Sequence, residues 1–383
     1  MRFGSKVECG SKSRLLNAIR NSRIPWPCAS LLVRLPTLTG CGKVRTSKYH
    51  ERKWYSFDRG ATGGERHYIL LGMIDGKKMG ELQLIQRIRS GAASRNGAVR
   101  LGIGDDCAVL RVPAGCEMVV TTDLSLEVRH FRRDWHTPQS AGHRCLARGL
   151  SDIAAMGGRP LAAFLSIALP KGFDINWLDG FMEGFNALAA EHGVELAGGD
   201  LAQAPGEEIL ADIMVVGAVK QGKALLRSTA RADDGIYVTG SLGESAGELE
   251  EMMAGGSRRE RGRQSFPEPR VAVGLALAKR RIAASCMDLS DGLSSDLRRI
   301  CEASGVGAAI DSSAIPRGKG ATLDQALHGG EDYELLFTTR PGAKVPRRIA
   351  GIGVTRIGTM VSGQGVWLDG RELQAAGWEH FRG

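Results

Sequence analysis

From residue 81 onward the apolar positions fall into two alternating rhythms; before it no sustained period appears. Leu82, Ile85 and Ile88 recur at three across Glu81 to Ile88, which predicts an amphipathic helix. Met118 to Asp123 reads as a strand ending in hydroxyls and an acid. Leu146 to Met156 reads as a helix with Ser151 and Asp152 on its apolar side. A strand follows at Leu161 to Leu169. Leu178, Phe181, Phe185, Leu188 and Ala189 then set a helix over Ile175 to His192. Glu195 to Asp200 is a short strand running into a glycine turn, and Ile209 to Val219 is another strand.

A second set begins near residue 225. Strands are expected over Ile236 to Gly240, from Cys286 into a turn by Leu293, over Tyr333 to Thr339 and over Val354 to Ile357. Helices are expected over Gly243 to Met253, Val271 to Arg280 and Leu293 to Ser304, the last stopped by Gly305. The Gly/Arg/Pro stretch 254–268 reads as a solvated loop. Alternating strands and helices predict an α/β (α+β) protein in two units, 79–224 and 225–383.

Charge divides the chain differently. Residues 1–78 hold 16 Lys/Arg against 5 Asp/Glu, a balance of +11, while 79–383 sum to −2. The basic excess therefore belongs to one segment and is not a nucleic-acid footprint of the whole protein. That segment reads as a targeting sequence, a basic arm, or a non-native or disordered extension upstream of a start at Met79; the last is favoured. A basic arm would bind nucleic acid in a salt-sensitive way, lost on removing 1–78. Eight scattered cysteines without a C-x-x-C pair predict reduced thiols in a cytoplasmic protein. Of these, Cys107, Cys145, Cys286 and Cys301 read as small core residues. No apolar run reaches the roughly 18 residues that a spanning helix requires.

The chemistry lies in acids beside glycines or hydroxyls: Asp105-Asp106, Thr121-Thr122-Asp123, Ser151-Asp152, Gly199-Asp200 and Asp288-Leu-Ser-Asp291-Gly. A single such acid is most often a turn or helix cap. Five stretches point to a shared demand, and hard carboxylate oxygens suit Mg²⁺ bound together with phosphate. Gly217 to Ala224 nearly matches a phosphate-binding P-loop, but Ala224 replaces the required hydroxyl and no strong helix follows, so a strand-end turn is expected.

Read as a set, several blocks resemble the thiamine-monophosphate kinase family of the aminoimidazole ribonucleotide synthetase-like ATP-binding superfamily. They are Gly104 to Val109, Thr121 to Asp123 with Glu127 and His130-Phe131, Leu150 to Gly157, Gly198 to Asp200, Leu226 to Ser228, Asp288 to Leu293, Gly329 to Phe337 and Gly377 to Phe381. The resemblance spans 79–383. It implies an N-terminal sheet domain that dimerises, a C-terminal α/β domain, and ATP-dependent phosphorylation of thiamine monophosphate to thiamine diphosphate with no covalent catalytic residue. It implies Mg²⁺ ions on Asp105, Thr121, Thr122, Asp123, Asp152, Asp200, Asp288 and Asp291. ATP contacts would come from Gly199, Asp200, Arg227, Ser290 and the position of Met182; thiamine phosphate would meet His130, Glu331 and Trp378. A superfamily synthetase, selenophosphate synthetase-like or hydrogenase-maturation-like, is the alternative. The chain departs from the family at Arg129, at Met182, where a tyrosine is common, and at Leu201, where Thr or Ser is usual.

Overall fold

The computed structural model describes residues 80–92, 97–255 and 262–378, together with the backbone of three strands before residue 70. The chain divides into two compact units, Met1–Lys78 and Met79–Gly383. In the first, β1 (Lys43–Tyr49), β2 (Arg52–Asp58) and β3 (Tyr68–Ile69) pair antiparallel in that order. The rest of the expected extension lies outside the described residues.

The second unit opens with α1 (Glu81–Gly91), where Leu84 is buried. Leu82, expected on the apolar face, points to solvent instead; Ile88 packs against the core with Leu84, and Ile85 is half-buried. Two short strands follow, β4 (Val99–Leu101) and β5 (Val109–Leu110), paired with each other. Then come β6 (Cys116–Leu126), α2 (Pro138–Ala155), β7 (Arg159–Leu169), α3 (Ile175–His192), β8 (Glu195–Gln203) and β9 (Leu210–Lys220). The sheet order is β6-β9-β7-β8. Capping residues set the helix ends. The Thr137 side chain accepts from Ser140 N–H ahead of Pro138, and Gly193 closes α3 in the left-handed conformation.

Both helices pack on one face of this sheet and on each other. A Cβ added to Gly142 on α2 would stand 1.9 Å from the Phe181 carbonyl oxygen of α3, and one added to Gly184 on α3 would stand 1.9 Å from the Gln139 carbonyl oxygen of α2. The crossing is therefore backbone against backbone, a contact only glycine allows. The other sheet face is uncovered along β6. Strand alternation puts Met118, Val120 and Leu124 there, each about half exposed (54%, 50% and 53%).

The remaining elements are β10 (Gly235–Thr239), α4 (Glu244–Met253), α5 (Val271–Arg280), β11 (Ser285–Asp288), α6 (Leu293–Ser304), β12 (Gly307–Ile310), α7 (Leu323–His328), β13 (Leu335–Thr339), β14 (Arg348–Ile349), β15 (Ile352–Val361), β16 (Val366–Leu368) and β17 (Arg371–Glu372). They build a sheet of order β11-β13-β10-β15-β12-β16-β17, with β14 on β15; only β12 and β16 run parallel. The short pieces β12, β14, β16, β17 and α7 carry too few apolar repeats to be read from periodicity. Helix α2 touches β11 and α5 as well as its own sheet, so it is the joint between the two halves.

Cys145, Cys286 and Cys301 are buried as expected, but Cys107 is exposed in the turn between β4 and β5. The loop expectation for 254–268 also needs correcting: Gln264 and Ser265 are buried, and Arg263 and Arg270 both pair with the buried Glu334. Polarity alone suggested a solvated stretch; ion pairing holds its second half inside. Past Lys220 the chain turns at Gly222 and reaches only a short 3₁₀ turn at Arg227–Thr229, so the near P-loop is a strand-end turn.

Candidate active site

The site is built outward from α2. Arg144, Arg148 and Asp152 recur every four residues, so they share one face of the helix. That face is buried, where an unpaired charge is expensive, and each of the three has a partner. Arg144 Nη2 donates to Glu331 Oε1 at 2.6 Å and to the His130 carbonyl at 2.9 Å. Arg148 Nη2 donates to Asp123 Oδ1 at 3.3 Å and its Nη1 lies 3.9 Å from Glu331. The Thr121 hydroxyl donates to Asp152. Beside them, Ser151 Oγ donates to Asp288 Oδ2 at 2.7 Å, tying α2 to the end of β11.

The second half of the site is the loop after β11. The N–H groups of Ser290 and Asp291 both donate to Asp296 on α6, at 3.1 Å each. Arg299 bridges Asp291 (2.5 Å) and Asp296 (2.7 Å). Onto this loop the chain lays two more segments by backbone bonds. Glu331 N–H donates to the Ser290 carbonyl at 2.8 Å, and Trp378 N–H to the Asp291 carbonyl at 3.0 Å. Glu331 sits in the left-handed region (φ 64°), a strained conformation for a side-chain-bearing residue and one that tends to mark functional sites.

Electrostatics follow from this crowding. Burial pushes the Asp123 carboxyl up to about 6; Arg148 opposes the shift and Asp152 adds to it. Burial also raises Asp152, against the Thr121 hydrogen bond and Arg227. Asp288 is raised by burial and then by Asp152. Asp296 is pushed up to about 7, first by burial and then by Asp291. Burial alone would raise Glu331 too, but the Arg144 guanidinium, with Arg148, outweighs it and holds that carboxyl below its usual range. Asp123, Asp152 and Asp288 are thus hard oxygen donors short of positive charge, with Arg148 and Arg227 as partial compensation.

This donor set fits Mg²⁺. Among the described residues no three acidic, cysteine or histidine groups already form a ready ligand cluster.

The structure gathers Thr121, Asp123, Asp152, Asp288, Asp291 and Ser290 around the β6–α2–β11 junction, with Arg227, His130, Glu331 and Trp378 beside them. His130 Nδ1 accepts from Leu126 N–H at 3.0 Å. Thr122 alternates to the uncovered sheet face. Asp105 and Asp200 are not tied to the group within this chain. Among the described residues each accepts a hydrogen bond only from the residue after it, and Asp200 lies on β8, the far edge of the sheet from β6. Asp200 is also inside a strand, not in a turn. Gly199 keeps that strand going with φ 146°, where a Cβ would stand 1.8 Å from the Leu165 carbonyl oxygen. Met182 is buried in the α3 core. Sequence reasoning passed over Arg144, Arg148, Asp296 and Gln264; the arginines had a legible signal, charges spaced at four toward Asp152 on an otherwise apolar helix.

Comparison with known proteins gives this geometry its context. The N-terminal domain of AIR synthase related proteins matches residues 104–219, and the C-terminal domain of the same proteins matches 231–369. The chain is 36% identical over 326 residues to the thiamine-monophosphate kinase of Salmonella typhimurium, covering 79% of this chain and 98% of that one. Its fold is similar to the crystal structure of thiamine-monophosphate kinase from Stenotrophomonas maltophilia (TM-score 0.67, 35% identity, 76% of this chain and 96% of that one). It is also similar to AaThiL complexed with AMPPCP and TMP (TM-score 0.65, 29% identity, 79% and 97%). With nearly the full length of the Salmonella protein matched at this identity, the chain belongs to the thiamine-monophosphate kinase family, built on the two AIR synthase related domains.

Proposed function

We propose that this protein transfers the γ-phosphoryl group of ATP directly to the phosphate of thiamine monophosphate, giving ADP and thiamine diphosphate. The observation that carries the reading is the junction itself: Asp123, Asp152 and Asp288 crowd together from β6, α2 and β11 while Glu331 and Trp378 are tied by backbone bonds to the Ser290-Asp291 loop. Asp123, Asp152, Asp288 and Asp291, with Thr121, would hold Mg²⁺, which when bound neutralises charge on the transferred phosphoryl group. Arg227, whose charge acts on Asp152 and Asp288, would receive nucleotide phosphates. Glu331 and the exposed face of Trp378 suit a thiazolium cation. The substrate phosphate is already ionised near neutral pH, so attack needs alignment and no strong base. Direct in-line displacement follows from that arrangement.

The uncovered apolar face of β6 supports a homodimer formed sheet to sheet, as large exposed patches usually mark interfaces. No helix of the described residues is long and apolar enough to cross a membrane; a cytoplasmic location is proposed with the rest. An ADP-release assay over thiamine monophosphate, thiamine and other phosphorylated acceptors, with and without Mg²⁺, tests the assignment. Release must require both Mg²⁺ and thiamine monophosphate; equal release with an unrelated acceptor would favour a superfamily synthetase.

The raised carboxyls make a further prediction. Their protons must leave before a cation binds. Asp123 titrates near 6 in the folded protein and Asp152 and Asp288 are raised with it, so protons compete increasingly as pH falls through that range. Calorimetric titration of Mg²⁺ in the presence of a non-hydrolysable ATP analogue should show affinity about tenfold weaker at pH 5.5 than at pH 8. Affinity independent of pH would remove these carboxylates from the ligand set.

A further inference from the structure

Gln264 lies in the segment between α4 and α5. The residue is 2% exposed. Gln264 N–H donates to Glu248 Oε2 on α4 at 2.8 Å, and its carbonyl accepts from Arg144 Nη1. Two residues on, Phe266 meets His143 edge to face, and the Pro267 carbonyl lies 2.7 Å from His143 Nε2. The backbone therefore holds the Gln264 side chain in one place.

The direction of that side chain follows from its partners. Arg144 Nη1 lies 3.0 Å from Gln264 Oε1 and can only donate, so the oxygen must face it. The amide nitrogen then faces Glu331, donating to Oε2 at 2.9 Å. His136 Nε2, 2.8 Å from the same Oε1, must be the protonated ring nitrogen. His136 Nδ1 lies 3.1 Å from Arg132 N–H and 3.2 Å from the Arg132 carbonyl. The amide is thus oriented by Arg144 and His136 on its oxygen and by Glu331 on its nitrogen. Glu331 is gripped at both oxygens, Arg144 on Oε1 and Gln264 on Oε2, while its side chain remains 23% exposed.

Charge neutralisation does not need Gln264, since Arg144 and Arg148 both pair the carboxylate, at its Oε1. What the second bond adds is a fixed plane: a carboxylate held at one oxygen can rotate, and one held at both cannot. We propose that Gln264 is a substrate-positioning residue, which fixes the plane of the Glu331 carboxylate against the cationic ring of thiamine phosphate and so sets affinity for that substrate. The proposal rests on the reading of Glu331 as a thiamine phosphate contact.

Two variants and one background test it. Q264M keeps the side-chain length without the amide. Q264E keeps an acceptor for both Arg144 and His136, so those buried donors stay satisfied, and assayed across pH 7 to 9 its ionised carboxylate has no proton to donate to Glu331. Both should raise KM for thiamine monophosphate about tenfold, with kcat and KM for ATP changed less than about twofold. In an E331Q background, which itself raises the same KM, Q264E should add nothing further. An unchanged KM for thiamine monophosphate, a parallel rise in KM for ATP, or a full additional rise in the E331Q background overturns the proposal. If E331Q alone leaves KM unchanged, the reading of Glu331 falls and Gln264 with it. If E331Q raises KM while Q264E does not, the role of Gln264 alone falls.

Discussion

Replacing Asp123 with asparagine should lower kcat roughly a thousandfold, about 4 kcal/mol of transition-state stabilisation at 1.4 kcal/mol per tenfold, while leaving the protein as stable as before or more so. The two halves of this expectation have one cause. Asp123 is held near Arg148 and Asp152 in a buried place that pushes its carboxyl up to about 6. A raised folded-state value means that the ionised form is the disfavoured one. The carboxylate therefore begins to cost stability as pH rises above its ordinary value near 4, and the full cost is present above about 6. At pH 8 that burden is on the order of 2–3 kcal/mol. Asparagine carries no charge to desolvate and still offers an oxygen to Arg148. It loses the negative charge that would hold a cation against the transferred phosphoryl group. Steady-state kinetics and thermal melts at pH 8 check both halves together. Near-normal turnover would dismiss Asp123 as a metal ligand, and a large fall in melting temperature would show that its role is structural.

Gly184→Ala should be among the most damaging changes away from the chemistry. The added methyl carbon would stand 1.9 Å from the Gln139 carbonyl oxygen, and backbone atoms cannot yield as a flexible side chain can. Helices α2 and α3 must separate, and the core between them, including Phe181 and Phe185, must repack. A loss of about 3 kcal/mol or more is expected, with a melting temperature lower by about 6 °C or more. Activity should fall further than stability explains at assay temperature, because α2 carries Arg144, Arg148, Ser151 and Asp152. Gly353→Ala is the control: nothing lies within 4 Å of a Cβ at that position, and its melting temperature should stay close to the parent's. Equal effects of the two substitutions would contradict the close-crossing account.

The long periodic elements were legible because their apolar repeats answer directly to burial. The α3 range Ile175–His192 matches its expected limits, and α5 and α6 do as well. Strand ends were not. Asp123 and Asp200 looked like strand-end acids, yet both lie within strands, where a β-sheet neighbour and not local sequence decides how far pairing continues. The pairing of Ser151 with Asp288 joins residues 137 positions apart, which no local pattern encodes. Gln264 was hidden for a related reason. A glutamine in an Arg- and Gly-rich stretch has the composition of a surface loop, and only Glu334 and Glu248, arriving from elsewhere, make its surroundings an interior. Asp105 was legible as a turn acid, and β4 and β5 place it in an exposed turn.

The most direct measurement is a ³¹P NMR product analysis of the full chain with ATP, thiamine monophosphate and Mg²⁺. Direct transfer predicts that ADP and thiamine diphosphate appear in equal amounts, with no inorganic phosphate beyond background and no ADP when thiamine monophosphate is left out. ADP accompanied by inorganic phosphate, with the thiamine monophosphate resonance unchanged, would contradict the phosphotransferase account.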